Sequence, residues 1–147
     1  MTGPGEGALD GGIHRFWQRV QFDDVDQYGI VHHPRYLIYM ERARVNLMGH
    51  LGMRADRLDG RHLGLIVAKA EVKFLRSARF LDDLLVEQGC GKVGASRVIF
   101  AYRIARADET ICTATLTLAF VDSSGKPVRA PEDLRSGLAG LGLPADR

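Results

Sequence analysis

One segment, residues 34–51, predicts a long helix that is apolar around much of its circumference. Proline suits the first helical position, because an N–H there has no partner inside the helix, and Gly52 marks the end. The apolar residues recur at helical spacing: Tyr36, Met40, Ala43, Leu47 and Leu51, with Leu37, Ile38 and Met48 widening the face. We expect other elements of the chain to enclose this helix.

The other patterned segments alternate apolar and polar residues with a period of two, which is typical of β-strands. They are residues 13–22, 65–75, 84–90, 96–106 and 111–121. Turn-like breaks separate the later segments, which favours an antiparallel arrangement, and a short helix is expected at 131–138. This order predicts an α+β fold, a five-stranded antiparallel sheet wrapped around one long central helix. The open edges of such a sheet favour pairing between copies of the chain.

Length and composition predict one domain at residues 13–138, preceded by a flexible leader at 1–12 and followed by a frayed tail at 139–147. The 20 Lys and Arg against 18 Asp and Glu leave a net charge of +2, so we expect no nucleic-acid partner. The absence of a long apolar run predicts no membrane insertion. Cys90 and Cys112 fall inside strand patterns, which indicates reduced core thiols and a cytoplasmic location.

The side chains most suited to catalysis or metal binding are concentrated just before the helix. Three carboxylates (Asp23, Asp24 and Asp26) and two histidines (His32 and His33) lie on the loop that leads to its first turn. The residues alone leave two alternatives to a catalytic role for Asp26, namely capping of the helix and a metal site with Asp24 and the histidines.

The same loop carries a resemblance to a known family. The sequence FDDVDQYGIVHHPRYL at residues 22–37, followed by ERAR at 41–44 and VKFLRSAR at 72–79, resembles the hotdog-fold acyl-CoA thioesterases of the 4-hydroxybenzoyl-CoA thioesterase family. It is most similar to the branch that includes the Tol–Pal-associated enzymes, and the resemblance extends over residues 13–134. It implies the hotdog fold, a homodimer or homotetramer, and hydrolysis of acyl-CoA to a free acid and CoA without a cofactor or a metal.

The resemblance also implies roles for individual residues. Asp26 would be the nucleophile or the general base, and the backbone N–H of His33 would polarise the thioester carbonyl, as a helix N-terminus can. Gly29 would allow a tight turn between them. The residues implied to bind substrate are Tyr28, Gly29, Tyr36 and Glu41 in the pocket, and Arg76 and Arg79 at the CoA phosphates.

Each of these roles has a structural alternative. Tyr36 also fits the buried helix face, Glu41 fits an exposed pair with Arg44, and the two arginines fit a solvated turn. Three other functions also remain open: a thioesterase acting on an acyl-carrier protein, a dehydratase, and a noncatalytic acyl-CoA-binding protein.

Overall fold

The computed structural model of the chain describes residues 3–10, 12–52 and 64–144. Its elements are β1 (Gly7–Asp10), β2 (Ile13–Arg19), the 3-10 helix Phe22–Asp24, α1 (Pro34–His50), β3 (Gly64–Phe74), β4 (Asp83–Val93), β5 (Arg97–Arg106), β6 (Glu109–Val121) and α2 (Glu132–Ala139). The strands form one antiparallel sheet in the order β1-β2-β4-β5-β6-β3. The predicted α+β fold with one long helix is confirmed.

The core lies between α1 and the inner face of the sheet. Antiparallel register aligns Phe16, Val86, Ile104 and Cys112 across the four central strands, and all four are buried. The apolar face of α1 covers this face of the sheet with Tyr36, Met40, Ala43 and Leu47. Each large apolar side chain buried here contributes about 1.5–3 kcal/mol. The broad apolar face of the helix is therefore buried against the sheet, as its sequence pattern predicts.

The sheet has six strands where the sequence predicts five, because part of the predicted leader is ordered. β1 forms a hairpin with β2, and Gly12 takes the left-handed conformation at the turn, with φ of 79°. The glycines that suggest a mobile leader instead allow this turn. Residues 1, 2 and 11 of the predicted leader lie outside the described residues.

The predicted frayed tail is also packed as far as residue 144. Leu138 and Leu141 are buried, and the N–H of Gly142 donates to the carbonyl of Gly12 at 2.6 Å. The segment crosses β4 so closely that a Cβ on Gly89 would overlap the Gly142 carbonyl oxygen. Residues 145–147 lie outside the described residues.

At the far edge of the sheet, β3 pairs only with β6 within the described parts of the chain. Most of its side chains are exposed on both faces, including Ile66, Val67 and Phe74. In contrast to β4, β5 and β6, this strand has no described element of the same chain over its inner face along most of its length.

Two further sequence expectations concern the thiols and the membrane. Cys90 and Cys112 are free and buried, and burial raises the pKa of each thiol to about 12, as expected for core cysteines. No helix in the described part of the chain is long and apolar enough to cross a membrane.

Candidate active site

The loop before α1 folds back on itself around Asp26. An antiparallel bridge joins Val25 to Val31, and the Asp26 N–H donates to the Ile30 carbonyl at 2.8 Å. The Gly29 N–H donates to the Asp26 carbonyl at 2.9 Å, and Gly29 has a φ of 79°. A Cβ at Gly29 would contact nothing within 4 Å, so glycine is needed here for its conformation and not for space. This is the tight turn expected at that position.

The turn fixes one oxygen of the Asp26 carboxylate and leaves the other available. Oδ1 accepts the Tyr28 backbone N–H at 2.8 Å, while Oδ2 has no hydrogen-bond partner among the described residues. The carboxylate is half-buried, and the Tyr28 side chain points away from the protein with 75% of its surface exposed. Asp26 therefore presents one oriented, unoccupied oxygen at the surface of the loop.

Asp24 holds this loop against the first turn of α1. Its buried carboxylate accepts the Gln21 N–H at 2.8 Å and pairs with the Arg35 guanidinium at 3.1 Å. Its backbone carbonyl accepts the His32 N–H at 2.9 Å. The hydroxyl of Tyr39 is also buried close by, and burial together with the Asp24 charge raises the pKa of Tyr39. Asp24 thus has the contacts of a structural residue.

The first turn of α1 offers a backbone donor. Pro34 occupies the first helical position as predicted, and His33 before it has helical dihedral angles but no side-chain cap. The Arg35 and Tyr36 N–H groups donate to the carbonyls of His32 and His33, whereas the structure records no acceptor for the His33 N–H in the described ranges. Such an N–H, at the positive end of a helix dipole, is suited to an oxyanion.

A small cleft of about 140 Å³ opens beside this helix start. It is lined by Val31, His33, Tyr36, Phe74, Leu75, Arg76 and Ser77. The imidazole of His33 packs edge-to-face on Phe74 with ring centroids 4.5 Å apart, and the Tyr36 ring lies 5.6 Å from the same phenylalanine. The structure therefore brings together three of the residues predicted for the site, His33, Tyr36 and Arg76. Phe74 was not predicted for the site, although it is the last residue on the inner face of β3 before the arginine turn.

Backbone contacts attach the Asp26 loop to the turn after β3. The Val31 N–H donates to the Ala78 carbonyl at 2.8 Å, and Ile30 forms an antiparallel bridge with Arg79. Tyr36 strengthens this attachment, because its hydroxyl accepts the Ala78 N–H at 3.3 Å. Burial raises the pKa of Tyr36, so the phenol remains protonated.

The two arginines predicted at the CoA phosphates differ in their contacts. Arg76 is engaged within the chain, since its guanidinium pairs with Glu109 at 3.1 Å and donates to the Thr110 carbonyl at 3.0 Å. Arg79 is exposed, and no acidic partner for its side chain occurs in the described part of the chain.

Glu41 is exposed on α1, and the alternative pair of Glu41 with Arg44 is not formed among the described residues, because Arg44 is turned into the core. The alternative metal site also lacks a geometric basis, since no group of three His, Cys, Asp or Glu side chains converges within residues 3–10, 12–52 and 64–144.

Comparison with known proteins identifies the family. A family model described as the thioesterase-like superfamily matches residues 20–138. The acyl-CoA thioesterase YbgC of Haemophilus influenzae is 31% identical over 130 residues, which cover 87% of this chain and 95% of that protein. The chloroplastic acyl-acyl carrier protein thioesterase ATL3 of Arabidopsis thaliana is 26% identical over 126 residues, covering 84% of this chain and 66% of that protein.

A solved structure supports the same assignment. The crystal structure of a probable thioesterase from Bartonella henselae superposes with a TM-score of 0.78 at 28% identity, and the match covers 81% of this chain and 99% of that one. Together with the strand order and the central helix, these similarities show that the chain belongs to the thioesterase-like superfamily and is a thioesterase with the hotdog fold.

Proposed function

We propose that the chain hydrolyses acyl-CoA thioesters to a free acid and CoA, with Asp26 and the start of α1 as its catalytic groups. The observation that carries this proposal is that one short loop holds both a carboxylate and a backbone N–H donor, which could act as base or nucleophile and as oxyanion donor. The loop presents an oriented carboxylate oxygen at Asp26 and, seven residues later, an N–H at His33 without an acceptor among the described residues. The similarity to the Haemophilus influenzae acyl-CoA thioesterase supports CoA as the carrier of the acyl group.

The reaction follows from these two groups. The thioester carbonyl oxygen accepts the His33 N–H, which stabilises the negative charge that develops when the carbonyl is attacked. Asp26 either attacks the carbonyl carbon itself or removes a proton from an attacking water. The carbon–sulfur bond then breaks, the CoA sulfur leaves and takes a proton, and the acyl carbon retains an oxygen that comes from water. An oxyanion donor of this kind contributes about 2.7–4 kcal/mol, and a positioned base about 10²- to 10⁴-fold in rate.

The surrounding residues are assigned by their positions. Tyr36 lines the cleft and attaches it to the turn at Ala78, while Gly29 and Tyr28 shape the loop surface. We assign the main CoA phosphate contact to Arg79, because its guanidinium has no acidic partner among the described residues. Arg76 could contribute only by sharing its guanidinium with Glu109. Glu41 would border the acyl group from the exposed side of α1.

We also propose that the enzyme is a homodimer or homotetramer in which β3 meets a second copy. The exposed apolar side chains Ile66, Val67 and Phe74, together with an edge left unpaired in the described chain, support this arrangement. The cleft at His33 borders Phe74, so the second copy would also cover the active site. The two buried free thiols support a reducing compartment, and we infer a cytoplasmic location.

A carrier-protein substrate is the second candidate, favoured by the similarity to the Arabidopsis acyl-acyl carrier protein thioesterase. A thiol-release assay separates the two. Benzoyl, 4-hydroxybenzoyl, acetyl, butyryl, decanoyl and palmitoyl groups are presented to the wild-type protein on CoA and on a carrier protein. Turnover of the CoA series supports the proposal, and turnover of the carrier-protein series alone supports the second candidate. Binding of CoA thioesters with no turnover in either series would indicate a noncatalytic binding protein.

A further inference from the structure

Arg44 is a buried cation without a counterion in the described structure. It lies on α1 with 8% of its surface exposed, and its one hydrogen bond to the described residues runs from Nη1 to the hydroxyl of Tyr102 at 3.0 Å. The guanidinium carbon is 6.0 Å from the centroid of the Tyr102 ring. No carboxylate within residues 3–10, 12–52 and 64–144 forms an ion pair with it. By contrast, the other buried arginine, Arg103, pairs with Glu87 at 3.1 Å.

The contact with Tyr102 leaves the charge of Arg44 without a counterion among the described residues. A neutral phenol does not compensate the charge of a largely buried guanidinium, and burial of a charge without a counterion is unfavourable. Arginine has five N–H donors in a planar fork, and the described residues supply an acceptor for one of its nitrogens. The remaining donors are suited to a carboxylate, which a guanidinium binds through two parallel hydrogen bonds.

Strand register relates this guanidinium to the cleft. Tyr102, Ala114 and Val72 are aligned across β5, β6 and β3. Two residues along the strands, the next aligned row on the same face is Ile104, Cys112 and Phe74. Rows two residues apart are separated by about 7 Å.

The two rows are neighbours on the inner face of the sheet, and one of them borders the cleft. Phe74 contacts the imidazole of His33, so the second row borders the cleft directly. The side chains between Phe74 and Tyr102 are small or aliphatic, namely Cys112, Ala114 and Val72, and Val72 is partly exposed on the open strand. An acyl group that begins at the His33 N–H and extends past Phe74 and Val72 on the open strand would run toward the row that contains Tyr102, the partner of Arg44.

We propose that Arg44 binds a carboxylate at the distal end of the acyl group, so that the preferred substrates are thioesters of dicarboxylic acids. This inference rests on the proposed function and names the substrate class for the same site. The carboxylate supplies a counterion that Arg44 lacks among the described residues, whereas a methyl-terminated chain of equal length supplies none.

The test compares paired substrates that differ only at the chain end. Succinyl-, glutaryl- and adipoyl-CoA are measured against butyryl-, pentanoyl- and hexanoyl-CoA with the wild type, Arg44→Met and Arg42→Met. Arg42 is the matched control, because it is an exposed arginine of the same helix whose guanidinium donates to Gln18 at 3.0 Å. Wild type and Arg42→Met should favour at least one dicarboxylic member by roughly ten- to hundredfold in kcat/KM, the range of a charged hydrogen bond, and Arg44→Met should lose this preference.

The ratio of kcat/KM values within each substrate pair separates recognition from stability, because a partly unfolded variant loses activity toward both substrates equally. If Arg44→Met does not fold, Tyr102→Phe replaces it, since loss of the hydroxyl that orients the guanidinium should reduce the same ratio. A wild-type preference for methyl-terminated chains would overturn the proposal, as would an equal loss of both series in Arg44→Met, with or without a change of oligomeric state. If no thioester is hydrolysed, the proposed function fails, and protection from thermal unfolding by adipoyl-CoA compared with hexanoyl-CoA still tests Arg44.

Discussion

In the proposed mechanism, the side chain of Asp26 and the backbone N–H of His33 share the catalytic work. The turn that Gly29 closes orients Asp26, and Asp24 anchors the loop to α1 through Gln21 and Arg35. The position of the carboxylate relative to the helix therefore depends on several buried contacts. In the proposed mechanism the thioester carbonyl accepts the His33 N–H, while the His33 imidazole packs on Phe74.

Two substitutions at position 33 separate these contributions. His33→Ala keeps the N–H and removes the imidazole, so it should cost little activity. His33→Pro removes the N–H, is compatible with the helical φ of −49°, and should reduce kcat by about 10²- to 10³-fold, the value of one oxyanion donor. Steady-state kinetics with a matched circular dichroism spectrum provides the measurement. An equal loss in the two variants would assign the role to the imidazole instead.

A second residue-scale prediction concerns pH and the buried His14. Its Nδ1 accepts from Gln88 and its Nε2 lies 2.8 Å from the Asn46 oxygen, which requires a neutral ring. Burial lowers the pKa of His14 in the folded state, so below about pH 6.5 the unfolded chain binds a proton that the folded chain does not. The free energy of unfolding should therefore decrease as the pH falls through this region, until the lowered folded-state pKa is reached.

Urea unfolding at neutral and mildly acidic pH measures this dependence. His14→Gln should flatten the dependence, whereas His32→Gln, at an exposed position, should leave it unchanged. An unchanged slope in His14→Gln would contradict the assignment.

At the scale of elements, the sequence predicted those segments whose periodicity reflects one buried face. The α1 helix and β4 to β6 have this property, whereas β3 follows the predicted alternation with most of its side chains exposed. The structure places all five elements within a few residues of the predicted ends. β1 was not predicted, because its pairing with β2 depends on glycine turns and not on an apolar pattern. Position 44 was also misjudged, since a charged residue on a helix is ordinarily exposed, and only the packed structure shows Arg44 turned toward Tyr102.

The crossing of the C-terminal segment over β4 gives an element-scale prediction. Gly89→Ala places a Cβ against the Gly142 carbonyl and should lower the free energy of unfolding by about 1–3 kcal/mol, as overpacking does. Gly91→Ala is the matched control in the same strand, because its Cβ would meet Leu143 at 3.6 Å and the Ile99 carbonyl oxygen at 4.0 Å, both ordinary contacts. Urea denaturation of the two variants measures the difference. Equal stabilities would show that the segment does not hold this position in solution.

For the whole molecule, the central question is how the open β3 edge is used. The sheet ends in β1 on one side and β3 on the other, and each edge has an exposed apolar residue, Leu9 and Val67. The proposed assembly uses only the β3 edge, where the cleft lies. The family, the fold and the loop could be predicted from sequence because their motifs are local. The contact between copies could not, since it depends on which face remains uncovered after folding.

A matched pair of edge substitutions tests this asymmetry. Val67→Glu places a charge on the proposed interface and should produce monomers with little thioesterase activity, because unpaired charge opposes edge pairing. Leu9→Glu should retain both the oligomeric state and the activity. Light scattering coupled to size-exclusion chromatography, followed by the thiol-release assay, provides the measurement. Monomers that retain full activity would show that one copy forms a complete site.

The measurement that tests the account most directly compares Asp26→Asn with Asp23→Asn under single-turnover conditions. Both changes remove one carboxylate from the same loop, but Asp23 is exposed, and its carboxylate pairs with Arg35 at 3.3 Å. We expect Asp26→Asn to slow thiol release from the best acyl-CoA substrate by at least about a hundredfold, while Asp23→Asn stays near the wild-type rate. Near-native turnover by Asp26→Asn would contradict the assignment of Asp26 as the nucleophile or base.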